Sequence, residues 1–176
     1  MPKNRGLAGT ALGIPDLVWM PLVTGALMLI AGGMGYVFHQ PWMFPSLGPT
    51  AFMQACRPND RSSGLYSTLV GHSIGIAAGY LAVWIFAAHL PPLVHVSDYV
   101  TPPRMWAAAV SVGATMLGHT LLRCYHPPAA ATTLIIALGV FQISWHDAGG
   151  LVMGILIVAC CGELLRRLRR DGRVGE

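Results

Sequence analysis

The chain predicts an all-α integral membrane protein, with four full transmembrane helices and two short broken or re-entrant ones. Three observations carry this. Of 176 residues, 54% are hydrophobic and only 10% charged, against about 25% charged in an ordinary soluble domain. Four apolar windows, 17–38, 65–88, 105–122 and 148–165, come close to or exceed the roughly 20 residues that a helix needs to cross a bilayer core. Two shorter apolar pieces, 44–56 and 126–141, open on proline, which a first helical turn accepts and a helix interior does not.

The first window is too long for a signal-peptide core and ends without a small-residue cleavage site, so it reads as a retained span. The piece 44–56 follows "HQPWM", a non-helical approach, and ends at the polar turn "CRPNDRSSG". The third element, 65–88, contains "GHSIGIAAG", which spaces Gly71, Gly75 and Gly79 four apart on one face. Such a face lets helix backbones approach closely. Gly150 with Gly154 repeats the spacing in the last window, and Ala114 with Gly118 does so more weakly. Between the spans at 105–122 and 148–165 lies "LLRCYHPPAAATTL", where arginine, histidine and two prolines interrupt apolar chain.

Long, short, long therefore occurs twice, and this order suggests a 3+3 inverted repeat if the short pieces cross. The distribution of positive charge tests that. With the N-terminus in the cytoplasm, six crossings place Lys3, Arg5, Arg57, Arg61, Arg123 and the arginine-rich end all inside, and only Arg104 outside. This agrees with the positive-inside rule. A four-helix reading would put Arg57 and Arg61 outside. The expected organisation is a cytoplasmic tail (1–15), one transmembrane domain (16–165) and a basic cytoplasmic tail (166–176), in a bacterial inner membrane. The basic tail fits orientation and anionic lipid rather than nucleic acid.

Two motifs in this frame, "PSLGPTA" (45–51) followed by "GH" (71–72), and "HPPAAAT" (126–132), resemble the HPP family of integral membrane proteins. The resemblance covers roughly residues 17 to 165. It implies a four-helix membrane protein and, through the photosynthetic-lineage members, nitrite transport. The stretch before "GH", which in the family carries proline and arginine, reads "SSGLYST" here.

The residues themselves suggest how a small anion would be held. Non-helical backbone within a bilayer is tolerated where it is buried in protein or lines a wet cavity. A helix that starts there presents open N–H groups and about half a positive charge. Two such starts would converge near mid-membrane and bind an anion without lysine. Gly48, Ala129 and Ala130 (with Ala131) are small enough to let a ligand near the backbone, and Ser46, Thr50 and Thr132 add hydroxyls. His126 opens the second short element. The same motifs also read as tight turns that pack the bundle.

His72, His119 and Arg123 are the candidates for proton relay or gating, since ionisable groups within a membrane mark functional sites. Helix–helix hydrogen bonding accounts for the histidines equally well, and Arg123 equally serves as a lipid anchor. No carboxylate or cysteine joins these histidines at metal-ligand spacing, and Cys56, Cys124, Cys160 and Cys161 form neither a zinc pattern nor a disulfide framework. No cofactor is expected, and no nucleophile or phosphate-loop motif suggests an enzyme. The expected partners are a small anion, the lipid bilayer and further copies of the chain. The alternative is a structural or partner-regulating membrane protein whose glycine faces bind another helix.

Overall fold

A computed structural model describes residues 14–89, 99–141 and 144–171. Six α-helices make up the described fold: α1 (Asp16–Val37), α2 (Leu47–Cys56), α3 (Leu65–Ile85), α4 (Pro102–Leu122), α5 (Pro128–Ala137) and α6 (Trp145–Asp171), with a single 3-10 turn (Arg61–Ser63) before α3. Four of them, α1, α3, α4 and α6, are long and apolar enough to cross a membrane. Prolines open α4 and α5, where the first N–H groups have no intrahelical partner in any case, while Pro21 lies inside α1.

Contacts between helix ends give the topology. Asp16, at the start of α1, pairs with Arg169 near the end of α6. One turn earlier in α6, Arg166 donates to the carbonyl of Pro58 at 2.6 Å. The Tyr66 hydroxyl, at the start of α3, donates to the Leu122 carbonyl that closes α4, at 3.1 Å. The beginnings of α1 and α3, the turn after α2 and the ends of α4 and α6 thus share one end of the bundle, the near end. At the far end, Arg104 of α4 donates to the Ala137 carbonyl that closes α5, at 3.3 Å. The Phe44 and Phe141 rings meet there edge to face, 5.9 Å apart.

The chain therefore runs between the two ends six times, and both short helices complete a pass rather than turn back. The second pass is part extended: residues 40–46 descend beside α6 before α2 begins. A side chain at Gly154 would collide with the Trp42 carbonyl and the Phe44 ring, and one at Gly150 would touch Pro41. One side of this non-helical stretch thus packs against α6, as hydrocarbon demands, while Pro41, Met43 and Pro45 are exposed.

The glycine row of α3 does the corresponding work for α5. A Cβ at Gly71 would come within 2.8 Å of His126 Cβ, one at Gly75 within 2.8 Å of both the Ala129 carbonyl and the Thr133 hydroxyl, and one at Gly79 within 3.1 Å of Ile136. Both rows are filled from within the chain, which removes the glycine faces as a surface for a foreign helix. Gly118, the weaker match, faces Ile74. On α1 only a stripe four residues apart (Trp19, Val23, Leu27, Ala31, Gly35) is buried, and Leu17, Leu22 and Leu29 point outward, as on a lipid-facing helix.

The basic segment after Leu165 departs from the expected tail. Helix α6 continues to Asp171, and Arg166 and Arg169 are buried. Glu163 explains the first of these: its carboxylate accepts from Arg166 at 2.6 Å and from Arg167 at 2.8 Å. Spacings of three and four residues put these side chains on one helix face. Arg169 turns inward to Asp16 and lies over the Trp19 ring, 5.6 Å from its centroid.

Candidate functional site

Both short helices begin about half-way along α3, and there the polar residues collect. Thr50, in the first turn of α2, holds its hydroxyl 3.0 Å from His72 Nε2 and 3.3 Å from His126 Nε2. His72 Nδ1 lies 2.7 Å from the Thr132 hydroxyl, which lies 2.7 Å from that of Ser46. His126 Nδ1 donates to the Ser62 carbonyl at 2.7 Å. Ser46, Thr50, His72, His126 and Thr132 all have 0% exposure, so each polar atom needs a partner within the protein. The cluster supplies those partners from α2, α3 and α5 together.

The other sequence candidates lie around it. His119 of α4 stands one layer nearer the bundle end and donates from Nε2 to the Gly71 carbonyl at 3.3 Å. Ala129 is buried with its carbonyl against Gly75, so its small size serves helix packing. Ala130 and Gly48 are half-buried, and a Cβ at Gly48 would meet nothing within 4 Å. Arg123 is exposed at the near end, where it closes α4 in the left-handed conformation with φ 50°.

Helix-start N–H groups are largely used up in turns. Pro127 and Pro128 have none, Ala129 and Ala130 donate to the carbonyls of His126 and Pro127, Leu47 donates to Phe44, and Pro49 again has none. The donors at this level are mostly side chains, each already bonded within the cluster.

Between the cluster and the near end lies a recess of about 540 Å³, lined by Arg57, Arg61, Ser62, His119 and Arg123 among others. A second recess of about 640 Å³ shares Asp60, Arg61, Ser67 and Arg123 with it and reaches Arg166. Asp60 is the acidic group of the first recess; it accepts from the Ser62 N–H at 2.9 Å, and this bond holds its carboxyl below the usual aspartate value. Three guanidinium groups outweigh that single carboxylate, so the recess carries net positive charge.

Several contributors were not singled out by the sequence. Thr133 and Thr115 join hydroxyls at 2.9 Å between α5 and α4. Arg104, expected on the outer side, is buried with its guanidinium in the space a side chain at Gly139 would take, and Gly139 adopts the left-handed φ of 77°. It puts a cation on the carboxyl end of α5, where the helix dipole favours one. Thr115 and Thr133 lie four residues from Ser111 and Ala129, whose carbonyls they bond, but that spacing is common in membrane helices and marks no site. Among the described residues no group of three metal-ligating side chains occurs.

No curated protein and no solved structure matches the chain. The family described as "HPP, transmembrane region" matches over residues 10–174, a span that includes both motif-bearing short helices and all four long ones. Membership fits the geometry around "PSLGPTA", "GH" and "HPP": the three segments meet at a single buried cluster, and this integral membrane protein belongs to the HPP transmembrane family.

Proposed function

We propose that the protein is a transporter or channel for a small anion, with nitrite the first candidate. The observation that carries the reading is the contiguity of two features. Five buried hydroxyl and imidazole groups lie where two helices are broken, and they adjoin a recess holding three arginines. Interrupted helices in matching positions of two halves mark transport sites near the middle of a membrane. Here α3 carries the broken element of the second half and α6 that of the first, which supports reading the halves as an inverted repeat.

The anion reaches Arg57, Arg61 and Arg123, sheds water, and exchanges hydrogen bonds with Ser46, Thr50, His126 and Thr132. The near end is cytoplasmic in this reading, with both termini there. Support comes from charge: Arg57, Arg61, Arg123, Arg166 and Arg169 gather at that end, while Arg104 stands at the other. The membrane is then a bacterial inner membrane, and a bundle this small assembles as a homo-oligomer. The structural alternative loses its main support, since the glycine rows are occupied within the chain.

The test is nitrite and nitrate flux into proteoliposomes that hold only this protein. Saturable flux, lowered at least fivefold in Ser46→Ala, Thr50→Val and Thr132→Val, is the expected result. No flux of either anion from correctly folded protein overturns the reading.

A further inference from the structure

With both histidines neutral, the hydrogen bonds of the buried cluster can be satisfied in only one direction. A carbonyl oxygen only accepts, so His126 Nδ1, 2.7 Å from the Ser62 carbonyl, carries its hydrogen. The neutral ring then has a bare Nε2 that requires a donor, and the group placed to supply one is the Thr50 hydroxyl, at 3.3 Å. Thr50 has one hydrogen and three acceptors within reach: His126, His72 and the Ser46 carbonyl. Giving it to either of the last two leaves His126 Nε2 facing an oxygen lone pair in a buried site, which is costly. The Ser46 carbonyl also accepts from the Thr50 backbone N–H, so it tolerates the loss.

With Thr50 donating to His126, His72 must bring its own hydrogen on Nε2 to donate to Thr50. Its Nδ1 is then bare and accepts from Thr132, and Thr132 in turn accepts from Ser46. Every donor then points the same way: Ser46, Thr132, His72, Thr50, His126, and finally the Ser62 carbonyl at the edge of the arginine-lined recess.

We propose that this chain, from the Ser46 hydroxyl to His126 Nδ1, is a proton path that discharges into the near-end recess and couples transport to protons. The inference rests on the anion-transport reading of the same cluster. A proton from water or a hydrated anion bonds to Ser46 Oγ, whose own hydrogen passes to Thr132 Oγ1. The hydrogen of Thr132 passes to His72 Nδ1, that on His72 Nε2 to Thr50 Oγ1, and that of Thr50 to His126 Nε2. The hydrogen on His126 Nδ1 leaves to a water admitted beside the Ser62 carbonyl, which lines the recess; Ser46 and His126 are both buried, so entry and exit take place only when the bundle opens to admit water. Each step breaks one O–H or N–H bond and forms another, and no charge is left on the chain. All members end with reversed orientation and must rotate back, so the resting state releases a proton to the recess and takes none up from it. The other titratable group facing the histidine pair is His119 of α4; Asp60 and Arg61 flank the outlet.

The first test needs no transport. In the full chain, labelled with ¹⁵N-histidine and held in lipid bilayers at neutral pH, His126 is expected as the Nδ1–H tautomer and His72 as the Nε2–H tautomer, the signals being assigned with His72→Gln and His126→Gln. A His72 hydrogen on Nδ1 overturns the proposal. The second test follows nitrite and internal pH together in proteoliposomes. Wild type is expected to move protons with nitrite, Thr50→Val to lose at least tenfold of the protons moved per nitrite, and Thr50→Ser to regain them. Nitrite flux without proton movement in wild type overturns the path and leaves the transport reading intact. Absence of nitrite flux overturns the transport reading and, with it, the coupling.

Discussion

His72 of α3 and His126, at the foot of α5, meet edge to face with ring centroids 4.9 Å apart. They come from opposite halves of the chain, and Thr50 of α2 bonds both. Three passes of the bundle are thus tied at one level by groups that water cannot reach.

Thr132 tests how much that tie contributes. Its hydroxyl sits 2.7 Å from both Ser46 and His72, and Thr132→Val keeps the shape while leaving those two groups without it. A loss of about 1–3 kcal/mol is expected, read as a lower thermal midpoint in detergent. An unchanged midpoint shows that the cluster does not hold the fold together.

The α3 glycine row makes a sharper contrast. At Gly75 a methyl group would press within 2.8 Å of the Ala129 carbonyl, which is backbone and cannot turn aside. Gly75→Ala is expected to cost about 1–3 kcal/mol through overpacking. Gly113 of α4 has nothing within 4 Å, so Gly113→Ala is expected to change stability by less than about 1 kcal/mol, in the favourable direction. Equal effects at both positions would contradict the docking of α5 on this row.

Topology can be checked by thiol labelling in a background lacking the four native cysteines. Asn59→Cys, in the exposed turn after α2, is expected to react from the same side of the membrane as a tag on the C-terminus. Val140→Cys, exposed after α5, is expected to react from the opposite side. Reaction of both from one side would mean that the short helices do not pass through.

The recess arginines act through long-range attraction, which salt screens over about 10 Å at 0.1 M. Arg61→Gln and Arg123→Gln are therefore expected to raise the apparent KM for nitrite a few-fold at low salt, with kcat little changed. The difference should shrink at high salt; an effect that salt leaves untouched would point to direct contact instead.

Asp60 gives a pH signature to the turn before α3. Its carboxyl is held below the usual aspartate value by the Ser62 N–H, so the folded turn favours the ionised form. That contribution is complete above the unfolded aspartate value and is lost as pH falls through the lower, folded one. Proteolytic nicking within 57–64 is expected to rise over that acidic window in wild type, and Asp60→Asn should flatten the rise.

Much of the architecture was decided locally and could be read from the chain. Hydropathy over about 20 residues marks a spanning helix wherever it occurs, and a proline at a helix start acts on its own turn. The four long helices, the two short ones and the charge at one end followed from those facts. The residues Ser46, Thr50, His126 and Thr132 stood out because polar groups next to proline are out of place in apolar chain. What only the tertiary structure decided depends on who meets whom across long separations. Ser46 and Thr132 are 86 positions apart, and nothing local states that their hydroxyls touch. The glycine rows announced close packing without naming the segments that fill them, and an arginine after the last apolar window looks solvated until Glu163 or Asp16 proves to lie beside it. Burial and hydrogen-bond direction belong to the packed bundle, because each is fixed by neighbours that the sequence places far away.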